Sequence, residues 1–121
     1  MKNLNLLSEV LDSVFSSSKA ASYAMNYNIS GNMLEVKYST IVHFASESSL
    51  KVQLDSLRNR SMQLIDESIS NLKKKYREKS DSTLRVADNG GKDDIELISA
   101  TSNSPRKIAY FRCNRFLEIT D

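Results

Sequence analysis

Five basic side chains, Lys73, Lys74, Lys75, Arg77 and Lys79, crowd one short stretch with only Glu78 opposing them. Cations spaced this closely can meet several phosphates at once. The same run also suits the carboxyl end of a solvated helix, where each cation opposes the helix dipole by roughly 0.3 to 1 kcal/mol. A second basic group, Arg106, Lys107, Arg112 and Arg115, is interleaved with Tyr110 and Phe116. Strand periodicity puts Tyr110, Arg112 and Phe116 on one face, an arrangement in which rings stack exposed bases while guanidinium groups hold phosphates. The run lacks the glycine-containing aromatic signature of RNA-recognition motifs. Aromatic residues in strands also pack under a helix or beside a neighbouring strand, so the two readings stand side by side.

The remaining reactive side chains are scattered. His43 is the only histidine, and Asp12, Asp55, Asp66, Asp81 and Asp88 offer too many unplaced partners for a catalytic triad to be argued. Cys113 is the only cysteine, which excludes an intrachain disulfide and a cysteine zinc cluster within one chain. It falls on the more apolar face of its predicted strand, as an inert core thiol would. Asp93, Asp94 and Glu96 do not follow the twelve-position pattern of a calcium loop, and Gly90 and Gly91 lack the lysine-serine ending of a phosphate loop. His43, Asp66, Glu67 and Cys113 lie on unrelated elements, so no enzyme, metal site or cofactor is expected.

The elements that must position these groups follow from periodicity. A stretch from Ser48 to Lys79 contains neither glycine nor proline. Its residues Leu50, Leu54, Leu57, Met62, Ile65, Ile69, Leu72 and Tyr76 recur mostly at steps of three and four, which predicts one long amphipathic helix. Such a helix runs for roughly 45 Å, longer than a compact domain of this size is wide. Ser46, Ser48 or Ser49 can cap its start. Ser61 and Ser68 interrupt an extended heptad and argue against an autonomous coiled coil.

Upstream, Leu4, Leu7, Leu11 and Val14 mark a helix over residues 4 to 15, which frays at Ser16, Ser17 and Ser18. Residues 20 to 24 can resume it. Asn26 to Asn32 reads as a loop, so residues 1 to 28 form an amino-terminal helix and flexible linker, loosely tethered to a core at 33 to 119. Met33 to Phe44 alternates as a strand. After the long helix, β-like runs at Leu84 to Val86 and Ile95 to Ala100 flank Asp88, Asn89, Gly90 and Gly91, residue types suited to a hairpin turn. Thr101 to Lys107 supplies another loop, and Ile108 to Ile119 alternates as the last strand. The expectation is a single α+β domain: helix, strand, long helix and three strands in a mostly antiparallel sheet with the helices on one face.

Bulk composition narrows the function. The chain has 121 residues, 40% of them hydrophobic, enough for one modest core. A net charge of +2 is too balanced for indiscriminate polyanion binding. No run approaches eighteen apolar residues, and Ser8, Glu9, Asp12 and Ser13 break up a signal-peptide segment, which points to a cytoplasmic protein without membrane contact. The leading expectation is a non-enzymatic accessory or assembly protein. Its helix stripe would mediate protein contact and self-association, a dimer before other oligomers. The alternative is a small nucleic-acid-binding module using both basic groups.

Overall fold

In the extended backbone of Ser46 the central helix finds its start. Ser46 Oγ accepts the Ser49 amide at 3.2 Å and Ser49 Oγ accepts the Ser46 amide at 3.3 Å, so two otherwise orphan donors are satisfied reciprocally. From Glu47–Ser80 the helix runs without interruption for 34 residues. It stops at Asp81, which adopts the left-handed conformation at φ 59° and donates its amide to the Arg77 carbonyl at 3.0 Å.

The computed structural model describes residues 3–17, 25–100 and 107–121. Within them the order is α1 (Leu4–Phe15), β1 (Asn26–Ser30), β2 (Met33–Phe44), α2 (Glu47–Ser80), β3 (Arg85–Ala100) and β4 (Lys107–Thr120). The four strands form one antiparallel sheet in the order β1-β2-β4-β3. β2 and β3 therefore run in the same direction on either side of β4, and α2 is the crossover that joins them. The α+β class and the placement of helices on one face agree with the sequence reading.

Three local features differ from it. Asn26 to Ser30 is a strand, not part of a linker: it pairs with β2 from Asn26↔Lys37 to Ser30↔Met33, through a turn that Gly31 makes at φ 60°. Asp88 to Gly91 is not a hairpin turn. β3 runs straight through it with a bulge between Asp88 and Gly90, where Gly90 sits at φ 120° and donates its amide to Asp88 Oδ1 at 2.9 Å. The same tolerance of positive φ that suits a turn suits a bulge, and residue type alone does not separate the two. Thus, among the described residues, two strands, not three, follow the long helix. The residues read as a resumed helix at 20 to 24, and most of the loop after residue 100, lie outside the described residues.

Nor is α1 loosely tethered. Asn3 caps it, accepting the Leu6 amide at 3.1 Å, and Leu7, Val10 and Leu11 are wholly buried. Lys79 meets Glu9 at 3.0 Å, Lys75 donates to Ser13 Oγ at 3.0 Å, and Tyr27 donates its hydroxyl to Asp12. Burial, and after it the Asp12 hydrogen bond, push the Tyr27 phenol up to about 12, so it stays a donor at neutral pH.

The core lies between α2 and the sheet. β2 contributes Leu34, Val36, Tyr38, Val42 and Phe44, and β4 contributes Ala109, Phe111, Cys113, Leu117 and Ile119, all buried on the helix side. Against them α2 buries Leu54, Ser61, Leu64, Ile65, Ser68, Leu72 and Tyr76. Ser61 and Ser68, which break the heptad in the sequence, are contact residues of this seam. Their hydroxyls donate to the carbonyls of Leu57 and Leu64 one turn back, so small polar side chains enter the core satisfied. Met62 stands outside the seam and is 45% exposed.

The length of α2 is largely matched by the sheet. Thirty-four residues of helix span about 51 Å at 1.5 Å per residue. β2 and β4, over which the helix lies, have 12 and 14 residues and span about 40 and 46 Å at 3.3 Å per residue, so most of the helix length is matched by the sheet. We expect Ile65→Ala to cost about 2 to 5 kcal/mol in urea unfolding, whereas Met62→Ala stays within about 0.5 kcal/mol. Equal costs would contradict this seam.

Candidate interaction surfaces

The stripe proposed for partner binding divides when placed in the fold. Leu54, Ile65, Leu72 and Tyr76 are buried in the chain's own core. Leu50, Leu57 and Ile69 are partly buried against it. A side chain already sealed under its own sheet offers no area to another molecule, so of the eight only Met62 is exposed for contact. Tyr76 is fixed further by its hydroxyl, which donates to Asp121 Oδ2 at 3.1 Å.

Apolar side chains left wet lie on the helices, at Leu4, Val52 and Met62, and on the sheet. Ile41 is 57% exposed on β2, while Leu97 and Ile98, at 64% and 52%, and Ile95 lie on β3. Register pairs Ile95 with Phe111 and Leu97 with Ala109, so both point to the helix side. They stay exposed because α2 lies over β2 and β4 and does not reach that edge. On the opposite face, Tyr110 pairs with Ile41 and Phe116 with Glu35, each half-buried. The expected sharing of one face by Tyr110, Arg112 and Phe116 holds, and it is the face the helices leave open.

Charge on the sheet is largely neutralised in place. Arg112 meets Asp94 at 3.2 Å, Arg115 pairs with Asp88, and Arg58 reaches from α2 to Asp93 at 2.7 Å. The Gly90 amide first, and the Arg115 guanidinium after it, hold the Asp88 carboxyl below its usual range. Strand alternation splits the acidic trio: Asp93 faces the helices, while Asp94 and Glu96 face away. Glu35 and Glu118 also pair into the open face, which is therefore mixed in sign.

The basic residues of the helix end separate likewise. Lys75 and Lys79 hold α1. Lys73, Lys74 and Arg77 have no carboxylate partner among the described residues and line an open cavity of about 400 Å³ with Thr83 and Leu84. Lys107 is exposed at the start of β4, and Arg106 lies outside the described residues. The two basic groups do not converge into one patch.

A smaller cavity, about 230 Å³, lies beside α2 and is lined by Arg58, Met62, Gly91, Asp93, Cys113 and Arg115. Gly91 leaves room for the Arg115 side chain, since a Cβ there would stand 3.3 Å from Arg115 Nε. Burial first, then the Asp93 hydrogen bond, push the Cys113 thiol up to about 11. A thiol so placed is protonated at neutral pH and a poor nucleophile. His43 is exposed on β2, and its carbonyl accepts Gln53 Nε2 at 3.2 Å. Cys113 and Asp93 come together here, but His43, Asp66 and Glu67 are not among the residues lining this cavity.

No protein family, curated protein or solved structure matches this chain. Cys113 supplies one check: at pH 8 the folded protein should resist a thiol reagent and react at a free-thiol rate only in denaturant. Rapid labelling of the native state would show the thiol to be accessible and ionised.

Proposed function

We propose that the protein is a non-enzymatic accessory or assembly protein that works through protein–protein contact and self-association. The observation that carries this reading is the exposure of Ile41, Ile95, Leu97 and Ile98 on the sheet layer. Apolar area of this kind is worth roughly 25 cal/mol per Å² when covered, and contact with a protein surface is the direct way to cover it. The neutralised arginines favour the same reading, because paired Arg and Asp side chains leave less uncompensated charge when water is excluded. The surface is the sheet and not the helix stripe, whose largest side chains are spent inside. A single buried thiol suits a reducing compartment such as the cytoplasm. Among the described residues, no helix is long and apolar enough to cross a membrane.

Sedimentation velocity from micromolar to high micromolar concentration tests the proposal. A concentration-dependent shift to a larger species is expected, weakened by charge placed at Ile41. A monomer throughout would remove self-association.

A second reading rests on Lys73, Lys74 and Arg77, which lack carboxylate partners among the described residues and stand together at a helix end. They suit a phosphate-bearing ligand such as nucleic acid. On this reading, reversing all three to glutamate lowers the slope of log affinity against log salt by about 2 to 3. Unchanged binding to single-stranded and double-stranded probes would exclude the patch.

A further inference from the structure

β1 is short and covers only part of its neighbour. Its ladder with β2 begins at Asn26↔Lys37, and beyond it no strand among the described residues pairs with the outer edge of Ser39 to His43. The carbonyl of His43, which accepts Gln53 Nε2 rather than a strand amide, fixes which groups face outward there. By the two-residue period, Ser39 and Ile41 turn their amides and carbonyls the same way.

The two margins of the sheet are protected unequally. The β3 margin carries two bulges and the charges of Lys92, Asp93, Asp94 and Glu96, the devices by which proteins prevent unwanted strand addition. The Ser39 to His43 margin has no bulge, proline, glycine, lysine or carboxylate. Beside it runs a groove of about 420 Å³ between β2 and the first half of α2, bordered by Ile41 and by Val52, which is 69% exposed. An unprotected edge next to wet apolar side chains is a template for one more strand.

We propose that the added strand is the same segment of a second copy, paired antiparallel about a two-fold axis at Ile41. This rests on the self-association reading above and names its surface. In that register Ile41 faces Ile41, Ser39 faces His43 and Thr40 faces Val42, so no like charges are opposed and the segment is its own complement. Ile41 exchanges its amide and carbonyl with its counterpart, the His43 amide donates to the Ser39 carbonyl opposite, and the Ser39 amide donates to the second lone pair of the His43 carbonyl, whose first accepts Gln53 Nε2. The axis stands perpendicular to the sheet, so both helical layers fall on one side of a continuous sheet. Val52, Ser56 and Arg60 of the two copies then close over the groove from either side.

The test uses the full chain with Cys113→Ser, so that introduced cysteines report alone. Ile41→Cys should form a symmetric disulfide dimer on mild oxidation, because directly opposed Cα atoms lie about 5.5 Å apart, within disulfide reach. Leu97→Cys, equally exposed on the other margin, should not. Ile41→Lys should retain the circular dichroism of the parent and weaken its dimer by about tenfold or more. Hydrogen exchange at Ser39, Ile41 and His43 should slow as concentration rises. Several results would overturn the proposal. One is an unchanged dimer in Ile41→Lys, which leaves self-association standing on another surface. Another is amide protection already complete in dilute monomer, which means that the edge is covered from within the chain. A monomeric parent at every concentration removes both the proposal and the reading beneath it.

Discussion

Everything in this structure depends on one crossover having to return the chain the full height of a tall sheet. β2 ends at one end of the sheet and β3 begins at the other, parallel to it and separated by β4. Only a continuous element about as long as the strands joins them, and a helix with no glycine or proline supplies it. The length that looks surplus beside a compact domain is set by strands of 12 to 16 residues. Once the helix lies along them its apolar stripe is spent on the sheet, and its serines become places where helix and sheet meet closely.

A single helix is about 10 Å across, whereas four strands spaced about 4.8 Å apart are wider. α2 therefore covers the middle of the sheet, and α1 extends that cover on the β1 side, held by Lys75 and Lys79. On the helix-side face the stretch of β3 that carries Ile95 and Leu97 stays uncovered, while Ile41 at the β2 edge turns to the open face. The exposed apolar residues are thus a geometric remainder of this layout. The same geometry distributes charge. Cross-strand arginines meet aspartates on β3, so the modest positive net charge gathers at the end of α2, away from Tyr110 and Phe116.

Much of this was legible in the sequence because periodicity reports burial directly. The bounds of α1, the faces of β2 and β4 and the continuity of α2 all follow from the spacing of apolar residues. β1 was not legible, because Asn26, Asn28 and Ser30 are poor strand formers and the pairing is set by the turn at Gly31 and by β2. The bulge at Asn89 reads as a turn in the sequence because Asp88 and Gly90 suit both. The surfaces were harder still. Leu50 through Tyr76 form a stripe in either context, and only the height of the sheet decides whether that stripe is core or interface. The stripe in the sequence includes Met62, which is exposed, and omits Leu64, Ser61 and Ser68, which are buried. In the sequence Ser61 and Ser68 interrupt the heptad, whereas in the fold their hydroxyls, bonded to their own helix, are buried at little cost.

The difference between the two margins gives this account its direction. A sheet with one covered face must still deal with its edges, and here the long β3 edge is bulged and charged while the shorter β2 edge is neither. Were both edges merely by-products of the fold, solubility would favour the same devices on each, since an unpaired, uncharged strand invites indiscriminate pairing. On the proposed pairing, an edge left plain only where the segment complements itself would limit strand addition to a closed, two-fold contact, which ends at two copies instead of propagating. Protection of one margin and self-complementarity of the other are then two parts of the same constraint on how this sheet can grow.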